Sequence, residues 1–187
     1  MTLSRLFIIL TFLTVSSIAT FASYIFIPMN TDQTDHLKAY GLDYWVLEQG
    51  AETWWLLNYE GGSFVLPNST SIEKECKARG VSYKVISDAA FNSILTTIND
   101  PENNMEAIKM EKAPRIAVYT PTVNERGEEI NPWDDAVTLV LTYAEIPFDK
   151  VYDREIIEGK LTKYDWLHLH HEDFTGQYGK FYSNFRG

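Results

Sequence analysis

The chain has 187 residues, with 16 Lys+Arg against 26 Asp+Glu for a net charge of −10, 45% apolar types and 22% charged types. That balance is globular, and it excludes a disordered acidic tail, a collagen-like chain and a multi-span membrane protein. The acidity argues against nucleic acid, whose phosphates call for a basic face.

Arg5 stands before an apolar run, Leu6 to Ile18, which ends in the small residues around Ala19 and Ala22. A basic start, a short apolar stretch and a small-residue exit predict a signal peptide over residues 1–22, and hence export to the periplasm or the exterior. The run is shorter than the roughly 20 residues of a membrane span, so no stable span is expected after processing.

Strand and helix signals then alternate. Tyr24 to Pro28 is a short apolar run suited to a buried strand, and a helix is expected from about Thr34 to Gly50. Its Leu37, Tyr40, Gly41, Tyr44 and Trp45 recur at helical spacing. Thr53 to Tyr59 is an aromatic-rich strand, and Gly61-Gly62 turns it into Ser63 to Leu66. Residues 72–80 read as a charged helix ending at Gly80, with Cys76 as a small packed residue. Ser82 to Ile86 is a strand, and Asp88 caps a helix with Phe91, Ile94, Leu95 and Ile98 on one stripe.

Residues 101–113 are polar and read as a connector, with one helical turn around Met105 to Met110, between an N-terminal α/β half (23–100) and a second half (114–187). There Arg115 to Tyr119 is a core strand, and Thr120 to Pro132 a polar loop. Asn131 and Pro132 open a helix to Ala144, with Asp134 and Asp135 in its first turn and Val137, Val140, Leu141 and Ala144 facing the core. Phe148 to Tyr152 is a strand, Asp153 to Gly159 a short helix, and Tyr164 to His170 a strand. Alternation of this kind predicts a doubly wound α/β fold with a mostly parallel sheet.

The densest polar cluster is His168-Leu169-His170-His171-Glu172-Asp173. On a strand His168 and His170 share one face, while His171, Glu172 and Asp173 fall at or beyond the strand's carboxyl end, where ligands bind in open α/β sheets. His171, Glu172 and Asp173 are therefore the candidate catalytic group, with Glu172 or His171 as base. His168 and His170, with Gly176 and Gln177 of the following glycine loop, are the candidate ligand contacts; a divalent metal on His168 and His170 is the alternative. Plain strand and loop roles account for the same residues. Tyr44, Trp45, Trp54, Trp55, Trp133 and Trp166 are either core aromatics or platforms for a small-molecule or carbohydrate ligand. Cys76 is the lone cysteine, which rules out an intrachain disulfide.

Residues 114–173 resemble the opening of class I glutamine-amidotransferase-like domains, which have a flavodoxin-like fold; the shared features are the strand at Arg115 to Tyr119, Ile146-Pro147-Phe148-Asp149 and Tyr164-Asp165-Trp166-Leu167. Such a sheet has about five parallel strands, and this half supplies three, so it is expected to be incomplete at its C-terminus. Across its length the chain is also similar to exported Bacteroidota-type proteins labelled asparagine synthetase B, through Tyr24 to Met29, His36 to Gly41 and Tyr164 to Lys180. That resemblance implies glutamine hydrolysis coupled to ATP-dependent amide formation. The sequence has neither the cysteine directly after the initiator Met nor the Ser-Gly-Gly-x-Asp pyrophosphate loop, and no Gly-x-Cys-x-Gly elbow. The reading from the residues is a ligand-binding or assembly module, or a hydrolase of undefined substrate.

Overall fold

The architecture of a computed structural model, which describes residues 23–124, 126–131 and 135–169, begins with a strand that both faces of a sheet share. In β1 (Ser23–Ile27) the period-two alternation sends Ile25 and Ile27 to one face and Phe26 to the other. Helix α1 (His36–Glu48) follows, capped by Asp35, whose carboxylate accepts from Lys38 N at 2.9 Å. β2 (Thr53–Leu57) and β3 (Ser63–Pro67) form a hairpin, and α2 (Thr70–Arg79) starts at the Ser69 cap and stops at Gly80 with φ 69°. β4 (Lys84–Ser87) runs directly into α3 (Asp88–Ile98); Ser87, not Asp88, is the cap, accepting from Ala90 N.

β5 (Glu106–Met110) then pairs antiparallel with β2, from Thr53↔Met110 to Leu57↔Glu106. The segment read as a connector with a helical turn is thus an edge strand. Its charged Glu106 and Lys109 suit an edge, where one side of the backbone faces water.

This first sheet has the order β4-β1-β3-β2-β5, and every pairing in it is antiparallel. The expectation of a mostly parallel sheet is therefore corrected for the N-terminal half. The chain crosses over through α1 from β1 to β2, and through α2 from β3 to β4, but each crossover skips a position. β3 fills the gap between β1 and β2, and β1 fills the gap between β3 and β4, so neighbours run in opposite directions. Helices cover both faces. Ala39, Leu42 and Val46 of α1 and Ile72 and Cys76 of α2 pack on Ile25, Ile27, Phe64 and Leu66. Phe91 and Ile98 of α3 pack on Phe26, Leu56 and Val65.

The hairpin turn needs its glycine. Gly61 has φ 82°, and a Cβ there would sit 2.4 Å from the Met29 carbonyl oxygen. Gln33, also buried, ties the start of α1 to the approach of β4: its amide donates to Pro28 O and Ser82 O and accepts from Ser82 N.

The second sheet is parallel. β6 (Ile116–Tyr119) lies between β7 (Asp149–Val151) and β8 (Trp166–Leu169), with Ala117↔Asp149 and Ala117↔Leu167 in register. Helix α4 (Ala136–Ala144) links β6 to β7, and α5 (Asp153–Ile157) with a 3-10 turn (Lys160–Lys163) links β7 to β8. Asp135 caps α4, accepting from Val137 N and Thr138 N at 2.9 Å, so the helix starts later than an Asn131 cap predicts. Arg115 and Asp165 tie the amino ends of β6 and β8 through a bidentate pair at 2.9 and 3.1 Å, and the Arg115 guanidinium holds the Asp165 carboxyl well below the usual carboxylate range. Among the described residues, no helix is long and apolar enough to cross a membrane.

The two sheets meet through α1 and α4. Gly41 sits directly under the Ala144 carbonyl, Tyr143 donates to Asp35, and Glu145 takes Lys38 at 2.6 Å and Arg79 at 3.0 Å.

Candidate functional site

Of the histidine-rich cluster, His168 alone lies within the described residues. It sits on β8 opposite Val118, half-buried, with its ring 6.3 Å from that of Trp166. His170, His171, Glu172, Asp173, Gly176 and Gln177 lie outside the described residues, as does Trp133. Among the described residues, no group of three or more His, Cys, Asp or Glu is placed to hold a metal ion.

A large concave feature among the described residues lies at the other end of the parallel strands. A cleft of about 500 Å³ opens between α1, α4, the first sheet and the amino ends of β6 and β8, which contribute Ile116 and Trp166. The face of α1 explains it. Ala39, Leu42, Asp43 and Val46 form the buried stripe on the antiparallel sheet. Of the Leu37, Tyr40, Gly41, Tyr44 and Trp45 stripe, the first four face α4 and the cleft, with Leu37 and Tyr40 exposed, while Trp45 packs against the core. Val140 and Leu141 of α4 likewise line the opening rather than a filled core, Val140 being 41% exposed.

The walls are apolar and aromatic. Trp55 stacks on Phe64 with ring centroids 6.3 Å apart, and Tyr40 meets Phe64 edge-on at 5.2 Å. Two of the polar ring groups are engaged: Trp55 Nε1 donates to Gly62 O at 3.1 Å and Tyr44 OH to Pro114 O at 2.7 Å. Trp166 stands at the mouth, 51% exposed. So three of the aromatics singled out in the sequence, Tyr44, Trp55 and Trp166, line one cleft, while Trp54 packs on Phe91 across the sheet.

One acidic residue lies among these apolar walls. Asp43 lines the cleft at only 5% exposure, and neither its Oδ1 nor the neighbouring Thr53 Oγ1 has a hydrogen-bond partner among the described residues. Burial pushes the Asp43 carboxyl up to about 7, and Thr53, near it without the geometry of a formed hydrogen bond, offsets only part of that. Buried polar atoms are nearly always paired, so two orphans side by side are a local anomaly. Asp43 was legible: it occupies an i, i+3, i+4, i+7 stripe with Ala39, Leu42 and Val46, and a carboxylate amid such a stripe is rarely buried without a partner.

Cys76 is fully buried in α2 and burial pushes its thiol up to about 11. It should resist a thiol-specific disulfide reagent in the native protein at mildly alkaline pH and react fully in denaturant. Rapid native labelling would show that α2 opens.

Among the described residues, an antiparallel layer with helices on both faces, joined through a helix pair to a three-stranded parallel unit, defines a mixed α/β protein with an aromatic cleft at the junction. Compared with known proteins, the chain matches no family model, no curated protein and no solved structure.

Proposed function

We propose that this is an exported small-molecule-binding module whose parallel half is of the class I amidotransferase-like, flavodoxin-like kind, and that the cleft between the halves holds the ligand. The cleft carries the reading: ligand sites are concave, mostly apolar, hold a few polar groups and favour junctions between packed units. A volume of about 500 Å³ falls within the range typical of such sites. Against a glutamine-hydrolysing asparagine synthetase stands the chain's single thiol. Cys76 is buried in a helix, and burial keeps its thiol in the neutral form, which is a poor nucleophile.

The test is a thermal-shift titration with a small neutral aromatic such as naphthalene-2-ol, on the wild type and on Val140→Trp, which plugs the mouth from a partly exposed position. Stabilisation of the wild type, lost in Val140→Trp, supports the cleft as the site. Equal shifts in both proteins would place binding elsewhere.

A further inference from the structure

Resting on the reading of the cleft as a ligand site, we propose that it takes a primary or secondary amine carried on an apolar body, with the ammonium group meeting the Asp43 carboxylate. Three observations select this chemistry. Among the described residues that line the cleft, Asp43 is the sole charged group, with no basic side chain beside it. The walls present Tyr40, Tyr44, Trp55, Phe64 and Trp166, whose ring faces attract cations. Asp43 Oδ1 is buried without a partner, and an N–H donor removes the cost of that orphan.

The competing ligand classes fit less well. A carboxylate or phosphate would meet a like charge in an apolar enclosure with no counter-ion. A sugar would set several hydroxyls against walls that offer one acceptor group, and each unmatched hydroxyl is costly there. A quaternary ammonium would satisfy the rings but has no N–H for Oδ1. Asp43 is buried on α1 and lines the cleft, and the terminal torsion of an Asp side chain is soft, so its carboxylate can turn toward a donor there. The net charge of −10 favours approach of a cation over an anion.

The matched probes are 4-phenylbutylamine and its neutral counterpart 4-phenylbutan-1-ol, titrated calorimetrically into the full chain at mildly alkaline pH. The wild type should bind the amine at least about tenfold more tightly than the alcohol, a difference of one decade in Kd. In Asp43→Asn, which keeps the shape and loses the charge, the amine's advantage over the alcohol should disappear. Equal affinities in the wild type overturn the amine assignment and leave the cleft standing; they are also the result expected if a resident water bridges Asp43 and Thr53. An amine preference that survives Asp43→Asn overturns the role of Asp43. Failure of both probes to bind at millimolar concentration removes the cleft reading itself, and with it this one.

Discussion

Gly41→Ala should lower the stability of the protein by about 3 kcal/mol, although alanine is the better helix former by about 1 kcal/mol. A Cβ at position 41 would stand 1.6 Å from the Ala144 carbonyl oxygen and 2.7 Å from its carbon, so one helix has to move. The obstacle is backbone, not the far end of a flexible side chain. The end of α4 is held where it is: Arg79 reaches Ala144 O, and Glu145, in the left-handed region at φ 60°, is gripped by both Lys38 and Arg79. Separating the helices also loosens the Tyr143–Asp35 bond. Urea denaturation of the wild type and variant is the measurement. A variant at least as stable as the wild type, following helix propensity alone, would show that the crossing is not tight.

The second large effect is a pH dependence of unusual sign. Wild-type stability should fall by up to about 4 kcal/mol as the pH rises from about 4 to above 7, and Asp43→Asn should abolish that slope. Asp43 holds its proton in the folded state up to about 7, against a usual value of 3.8. Between those values the native state carries a proton that the unfolded chain has released. Its contribution is fully present below the lower value and lost as the pH climbs through the upper one. Other carboxylates act in the opposite sense at lower pH. The hydrogen bond from Lys38 holds Glu145 below its usual value, and Arg115 does the same for Asp165, so their contribution is lost on acidification. The wild type should therefore be most stable in mildly acidic solution. Chemical denaturation across the pH range, wild type against Asp43→Asn, decides it. A flat wild-type profile above pH 4 would mean that the carboxyl is hydrated or paired in solution.

Most of the elements were legible because their signals are local. The apolar run of β1 and the stop at Gly80 depend on residues a few positions apart, whereas the caps fall on Ser69 and Ser87, one or more residues before the starts that the sequence suggested. What was not legible is where a crossover lands. Strand, helix, strand reads the same whether the second strand lies beside the first or leaves room for a third. The order β4-β1-β3-β2-β5 turns on that choice alone. The polar 106–110 segment misled for a related reason. As an edge strand it buries little, so it lacks the apolar alternation that announces a central strand. The cleft was half legible. The Leu37, Tyr40 and Tyr44 stripe was correctly apolar, but a stripe does not say whether it meets a packed neighbour or an opening. Asp43 carries a local signal, since burial of a lone carboxylate is the exception at any helix face.

The interleaved order of the first sheet also bears on how the molecule forms. β1 pairs with residues 64–67 on one side and 84–87 on the other, and β2 waits for residues 106–110. Only the β2–β3 hairpin is sequence-local; each remaining pairing closes a long loop before any contact rewards it. High contact order of this kind slows the search for the native state to milliseconds or longer, against microseconds for helical bundles. The nucleus must therefore join the hairpin to a strand from far earlier in the chain, and until residue 87 has been made β1 has just one of its two neighbours.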